Sequence, residues 1–132
     1  MSRKAPNETC PCGSGANYAR CCGPFLAGLA FPGNALALMR SRYTAYARGD
    51  YPYLLATWHP STRPASLETP EATAPRWIGL EIRNHQSTGA GCATVEFIAR
   101  FRVAGRAQRL HENSRFVFED GRWLYLDGQT PA

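Results

Sequence analysis

Four cysteines crowd into thirteen residues near the N-terminus, and this cluster constrains the fold more than any other feature. The order is Cys10-Pro11-Cys12, an interval of eight residues, and then Cys21-Cys22. A disulfide between adjacent cysteines is strained, and a Cys10–Cys12 bond would be almost as tight. Four thiolates can instead hold one zinc ion tetrahedrally, with neighbouring sulfurs roughly 3.8 Å apart. We therefore predict one zinc ion at these four residues, and two disulfides, free thiols or an iron–sulfur cluster remain the alternatives.

The residues between the cysteines are suited to wrapping an ion. Pro11 and the Gly-Ser-Gly run at residues 13–15 favour the sharp turns that Cys-x-Cys ligation requires. Backbone N–H groups of such small residues can donate to the sulfurs and spread their negative charge. We expect residues 16–22 to form one or two helical turns that end at the second cysteine pair. Because all four positions would be filled by protein, the zinc is predicted to be structural and not catalytic.

The cysteine usage and the N-terminus indicate a reducing compartment. Clustered cysteines in such a compartment are more often metal ligands than disulfides. The N-terminus carries the basic residues Arg3 and Lys4, but Pro6 and then Cys10 follow where a secretory signal would place an apolar run. No stretch approaches the roughly 18 consecutive apolar residues of a membrane helix. The sequence therefore predicts a cytoplasmic protein with no membrane association.

The charge of the chain bears on its partners. The formal net charge is +5. Four thiolates and one zinc ion together contribute −2, so the zinc-loaded chain would carry about +3. Nucleic-acid binding rests on the neutralisation of many phosphates, and this basic excess is too small to imply it. We therefore expect no nucleic-acid partner.

Two helices are predicted after the cysteine module. Asn34 is a suitable N-cap for the first helix and Gly49 is a suitable C-terminal stop. Between them, apolar and aromatic residues recur at helical spacing: Leu36, Met39, Tyr43 and Tyr46. A second, shorter helix is predicted with Asp50 as N-cap and Pro52 in its first turn, and it must stop near Pro60.

Beyond the proline-rich connection at 60–75, the hydrophobic period changes from that of a helix to that of a strand. Alternation is clearest in 92–103, where every second residue from Val95 to Val103 is apolar. Tight turns at Ala104-Gly105 and Asp120-Gly121 separate the later strands. The predicted strands are 76–87, 92–103, 107–119 and 122–127. Helices followed by a four-stranded antiparallel meander with one apolar face make an α+β fold.

The stretch CPCGSGANYARCC at residues 10–22 closely resembles the SEC-C motif. That motif is named for the C-terminal end of the bacterial preprotein translocase SecA, where it binds zinc. Its usual form is C-P-C-G-S-G-x-x-Y-x-x-C-C or C-H, and every fixed position is met here, Tyr18 included. Nearly the whole chain resembles the YchJ-like family of small bacterial proteins. The resemblance rests on the order of this motif and two later segments, MRSRYTAYARGDYPYLLATWHPSTR and LHENSRFVFEDGRWLYLDG.

The resemblance implies a fold and a metal, but no reaction. It implies a nuclear-transport-factor-2-like cone, in which helices pack on a curved antiparallel sheet, preceded by a small zinc knuckle. We accordingly expect a SEC-C-like zinc-binding module at residues 1–24 and the cone at residues 25–132. The linker at 25–33 is expected to pack its apolar residues on the main domain. For so small a module, metal binding is folding, so Cys21→Ser is expected to unfold residues 10–24 and to leave the cone folded.

Six polar and aromatic residues are candidates to line a pocket in the cone: Arg40, Tyr43, Trp58, His59, His111 and Glu112. His111 and Glu112 are adjacent on one strand, so they point to opposite faces. Glu112 shares the face of Phe116 and must therefore be paired or protonated, with Arg40 or Arg42 as the expected partner. An acid–base site of Glu112 with a histidine is one interpretation. The sequence favours the other, an ion pair that fixes helix against sheet.

The functional hypotheses follow from these sites. No nucleophile elbow, phosphate loop or catalytic metal spacing is present, so no catalytic residue is assigned and an enzyme is not favoured. Cys92 is expected to be a small buried apolar residue and not a nucleophile. The favoured hypothesis is a protein-binding or adaptor module that uses its zinc module. The alternative is a small-molecule binder or enzyme that uses the cone pocket. A shallow pocket with an exposed apolar rim on the knuckle would favour the first, and a deep pocket in which Glu112 and a histidine converge would favour the second.

Overall fold

A computed structural model describes residues 8–67 and 75–131 of the chain. Three helices precede four strands, with these bounds: α1 Gly23–Leu26, α2 Ala35–Arg48, α3 Tyr51–Ala56, β1 Arg76–Gly89, β2 Cys92–Val103, β3 Arg106–Glu119 and β4 Arg122–Gln129. The predicted α+β class is confirmed. Residues 1–7 of the predicted module, 68–74 of the predicted connection and residue 132 lie outside the described residues. None of the described helices is long and apolar enough to cross a bilayer.

The long helix α2 begins and ends where its capping residues predict. Asn34 Oδ1 accepts a hydrogen bond from the N–H of Ala37 at 2.7 Å, which satisfies one of the free donors of the first turn. Gly49 adopts a left-handed conformation with φ of 73° and ends the helix. Asp50 then caps α3, because its Oδ1 accepts a hydrogen bond from the N–H of Tyr53 at 3.2 Å.

The four strands form one antiparallel meander in the order β1-β2-β3-β4. In the turns at residues 104–105 and 120–121, both residues have positive φ, which matches the right-handed twist of the strands that they join. Strand β1 carries register shifts between Trp77 and Gly79 and between Ile82 and Asn84. Such bulges bend a strand, and they account for a curved sheet that can wrap one helix. Both predicted turns are confirmed, and β1 and β4 each run two residues further than predicted.

The core lies between α2 and the inner face of the sheet. Leu38 and Tyr43 of α2 pack with Val95, Phe97 and Phe116 in one buried cluster. Each such aliphatic or aromatic side chain contributes about 1.5–3 kcal/mol when it is removed from water. The alternation of β2 therefore places its apolar face against the helix, as the sequence predicts.

The cysteine module is one wall of this same core. Cys10, Cys12 and Cys22 are buried within the cluster that contains Leu38. In addition, Arg40 Nη1 of α2 donates a hydrogen bond to the backbone carbonyl of Cys12 at 2.8 Å. The boundary at residue 24 stays a prediction. The packing indicates that unfolding of the module would lower the stability of the cone.

The linker between module and helix differs from the expectation. Leu26 packs against the core. Leu29 and Phe31, in contrast, are 82% and 66% exposed. The linker runs over the surface from α1 to α2 and leaves both side chains largely in solvent, although the ring of Phe31 lies 5.9 Å from the guanidinium carbon of Arg122. The expectation that the apolar residues of the linker pack on the main domain is therefore wrong for Leu29, whereas Phe31 makes a partial contact with that domain.

Phe116 is predicted to be a major contributor to stability. It is 2% exposed and its ring lies 5.7 Å from that of Tyr125. Phe116→Ala should lower the free energy of unfolding by about 3–5 kcal/mol, since it removes buried contacts and leaves a cavity. Phe118→Ala, on the same strand, is the control, because Phe118 is 47% exposed; it should cost about 1 kcal/mol or less. Urea unfolding followed by circular dichroism measures both, and equal losses would contradict this description of the core.

Candidate functional site

The sulfur atoms of the four clustered cysteines converge on one point. The Sγ atoms of Cys10, Cys12, Cys21 and Cys22 all lie within 4.8 Å of one another. The distance from Cys12 to Cys21 is 3.6 Å, and that from Cys21 to Cys22 is 3.9 Å. A disulfide would need about 2.05 Å, whereas tetrahedral coordination at about 2.3 Å separates neighbouring sulfurs by about 3.8 Å. The donor set therefore fits a metal ion.

Short local hydrogen bonds shape the loop that presents these sulfurs. The N–H of Cys10 donates to the carbonyl of Ala16 at 2.9 Å and closes the loop around residues 11–15. A single 3₁₀ turn, Tyr18–Arg20, follows, and the N–H of Cys21 donates to the carbonyl of Tyr18 at 3.1 Å. The expected helical turn before the second cysteine pair is thus present and is of the tighter 3₁₀ kind.

The polar neighbours of the sulfurs favour negative charge at the centre. Ser14 Oγ lies 3.2 Å from the sulfur of Cys21. Arg40 Nη1 lies 4.0 Å from the sulfur of Cys12, beyond its bond to the Cys12 carbonyl. A hydrogen bond from Cys22 lowers the pKa of Cys12, although burial opposes it. The same bond and burial raise the pKa of Cys22. A cation that accepts all four sulfurs removes this conflict, because ligating thiols bind as thiolates.

A cavity of about 240 Å³ lies between α2 and the sheet. Its lining includes Arg42, Tyr43 and Tyr46 from α2, with Trp77, Glu112 and Tyr125 from the strands. Of the six predicted pocket residues, the structure therefore brings Tyr43 and Glu112 together here. The prediction that Arg40 lines the pocket is wrong, because Arg40 lies at the cysteine centre and not in the cone cavity.

Glu112 Oε2 and Arg42 Nη1 are both hydrogen-bonded to neutral groups. Glu112 Oε2 accepts hydrogen bonds from the hydroxyls of Ser114 at 2.6 Å and Tyr125 at 3.3 Å. Arg42 Nη1 donates to the carbonyl of Leu54 at 2.8 Å and to Thr57 Oγ1 at 2.7 Å. The predicted ion pair of Glu112 with Arg40 or Arg42 is therefore wrong. Burial lowers the pKa of Arg42, and its neighbours, Glu112 among them, only partly offset this.

The remaining pocket candidates lie elsewhere. His59 Nε2 contacts the carboxylate of Glu119 at 3.1 Å near the surface. His111 Nε2 lies 2.6 Å from Glu96 Oε2 on the outer face of the sheet. Trp58 packs edge-on against the ring of Tyr125, with centroids 5.0 Å apart, and is a neighbour of the cavity wall. Among the described residues no histidine lines the cavity, so the geometry does not assemble the acid–base site.

Several functional residues escaped the sequence analysis. Tyr46 and Tyr125 line the cavity. Gly128 lies opposite Ser114 in the β3–β4 ladder, and a Cβ atom there would collide with the Glu112 carboxylate. No local sequence signal marks Gly128, because the requirement for glycine comes from the neighbouring strand. Cys92 is exposed at the start of β2, so the expectation that it is buried is also wrong.

Comparison with known proteins covers both parts of the chain. The family model described as YchJ, middle NTF2-like domain, matches residues 34–128, and that of the SEC-C motif matches residues 7–24. A UPF0225 protein of Ralstonia nicotianae is 57% identical over 134 residues, which cover 94% of this chain and 92% of that protein. A UPF0225 protein of Xanthomonas campestris is 52% identical over 130 residues, which cover 98% of this chain and 100% of that protein.

Two solved structures share the fold. The solution structure of a SEC-C motif containing protein from Rhodopseudomonas palustris matches with a TM-score of 0.82 and 36% identity, over 94% of this chain and 99% of that one. The crystal structure of a SEC-C motif containing protein from Psychrobacter arcticus matches with a TM-score of 0.76 and 26% identity, over 96% of this chain and 85% of that one. With its SEC-C motif and its NTF2-like domain, this chain belongs to the YchJ-like family, whose relatives carry the name UPF0225.

Proposed function

We propose that this protein is a non-catalytic cytoplasmic adaptor that uses one structural zinc ion to fix a surface for another protein. The observation that carries the proposal is the exposure of Leu29 and Phe31 directly beyond the cysteine module, 82% and 66% respectively. They are the most exposed of the large apolar residues in the described part of the chain.

The case for zinc rests on the donor set. Four thiolates leave no open position, which is typical of structural sites. Soft sulfur ligands in a tetrahedron select zinc or an iron–sulfur cluster over hard cations. The four sulfurs lie within 4.8 Å of one another, which suits a single ion. Zinc would cross-link the loop of Cys10 and Cys12 to α1, since Cys22 is the N-cap residue of that helix. A reducing compartment would keep these thiols available as ligands.

The zinc-held segment leads directly into the exposed apolar residues. Helix α1 ends at Leu26, and the N–H of Leu29 donates to the carbonyl of Pro24 at 2.9 Å. The position of Leu29 therefore depends on the metal-bound end of α1. A groove of about 290 Å³ adjoins this segment, and its lining includes Phe25, Leu26, Phe31, Pro32, Tyr53 and Trp123. We call Leu29, Phe31 and this groove the linker surface.

The linker surface has the composition of a protein contact. Exposed apolar side chains around a groove are typical of interaction sites, in which a few large side chains carry most of the affinity. A partner that inserts an apolar side chain into the groove and covers Leu29 would remove both from water. The nucleic-acid hypothesis gains nothing here, because Arg40 and Arg42 are engaged inside the protein.

Loss of one ligand should abolish metal binding and lower stability. Native mass spectrometry of the wild-type protein should show one zinc per chain, and Cys12→Ser should show none. Its melting temperature should fall by roughly 10 °C or more, because metal binding contributes to folding and Cys12 is buried in the core. Cys92→Ser is the matched control, since Cys92 is exposed and lies outside the cluster. A metal-free wild-type protein, or bound iron, would overturn the zinc proposal.

The adaptor role is tested at Phe31. A photoreactive amino acid at position 29 should cross-link one partner protein in cells. Once that partner is identified, its affinity for this protein can be measured with purified components. Phe31→Asp should weaken that affinity at least tenfold, about 1.4 kcal/mol, as expected for an apolar anchor at an interface. Phe118→Asp is the control, because Phe118 is also exposed but lies on β3. Unchanged affinity in Phe31→Asp, or equal loss in both variants, would reject the linker surface.

A further inference from the structure

The cavity between α2 and the sheet is separate from the metal centre and from the linker surface. Its volume of about 240 Å³ equals about eight water molecules at about 30 Å³ each. Covalently bonded atoms lie closer together than separate water molecules, so this volume accommodates a compound of about nine non-hydrogen atoms. Aromatic rings form much of its wall, among them Tyr43, Tyr46, Trp77 and Phe97. A flat ring system is the shape that such walls contact best.

The cavity contains one cation, the Arg42 guanidinium, and other groups of the protein already bind it. Arg42 is 4% exposed. Its Nη1 donates to Leu54 and Thr57, and its guanidinium carbon lies 4.9 Å and 4.5 Å from the ring centroids of Trp58 and Tyr125. Because these contacts hold the guanidinium in place, it is not presented as a free partner for an anionic ligand. The aromatic face of Tyr125 that would attract a cationic ligand is likewise covered by Arg42.

The cavity also contains one anion, and this one has a free acceptor atom. Ser114 and Tyr125 both donate to Glu112 Oε2. Burial, and then the charge of Glu112, raise the pKa of Tyr125, so its hydroxyl keeps the proton that it donates. Oε1 of Glu112 receives no hydrogen bond from a described residue, and a carboxylate can only accept. Gly128 provides the space that the carboxylate occupies.

We propose that this cavity binds a small, uncharged, planar compound that donates one hydrogen bond to Glu112 Oε1. An indole N–H or a phenol O–H on a ring system of about nine non-hydrogen atoms has this chemistry. One arginine and one glutamate balance each other, so a ligand with a net charge would leave that charge uncompensated in a largely apolar site. The proposal is independent of the adaptor function, because it uses none of the residues of the linker surface.

Four compounds of matched size test the proposal on the wild-type protein. Indole, benzofuran, benzoate and benzylammonium are titrated while backbone amide shifts are followed by NMR. Indole should bind with saturable shifts at the cavity residues. Benzofuran has the same shape without the N–H and should bind at least tenfold more weakly, since a hydrogen bond to a charged acceptor is lost. Benzoate and benzylammonium should not saturate at the concentrations that saturate indole.

Two variants assign the effect to the carboxylate. Glu112→Leu should abolish the preference for indole over benzofuran. Glu96→Leu is the matched control, because Glu96 lies on the outer face of the neighbouring strand and pairs with His111; it should keep the preference. The comparison of probes on the wild-type protein needs no substitution, so it stands even if Glu112→Leu does not fold. Equal affinities for indole and benzofuran, tighter binding of a charged probe, or shifts that map to the linker surface would each overturn the proposal.

Discussion

The convergence of four sulfur atoms at one point, three of them on buried cysteines, is the constraint on which the first third of the chain depends. Four thiolates packed this closely without a cation would repel one another in a region of low dielectric. A bound cation turns the same arrangement into a cross-link. Because Cys10, Cys12 and Cys22 also belong to the cluster around α2, such a cross-link would support the cone as well as the module.

Helix α2 connects the parts of the molecule through two arginines that point in different directions. Residues two apart on a helix lie about 200° apart around its axis. Arg40 accordingly reaches the carbonyl of Cys12, whereas Arg42 reaches Leu54 at the end of α3. Each arginine satisfies a backbone carbonyl and ties α2 to a different neighbour. The sequence analysis gives the same two residues as expected partners of Glu112, whereas the role of each depends on what packs beside it.

Features that are set within a few residues could be predicted, and those set by distant contacts could not. The caps of α2, the two tight turns and the convergence of the four cysteines follow from local chemistry. Strand periodicity also separated His111 from Glu112 correctly. The partners of Glu112, in contrast, depend on the register between β3 and β4, which places Tyr125 and Gly128 near it. His59 likewise meets Glu119 across 60 positions of sequence. Composition and spacing carry no information about such pairs.

The cavity and the cysteine cluster are chemically distinct, but residues of α2 contact both of them. Arg40 contacts the cysteine loop, and Tyr43, one turn further along, lines the cavity. Tyr43 also belongs to the buried cluster that includes Cys12. Residues that share a packed cluster do not contribute independently to stability, so effects at the two sites are not expected to add. If the cysteines hold a metal and the cavity binds the proposed ligand, removing the metal should change the affinity of the cavity for that ligand, because both sites use α2 as a wall.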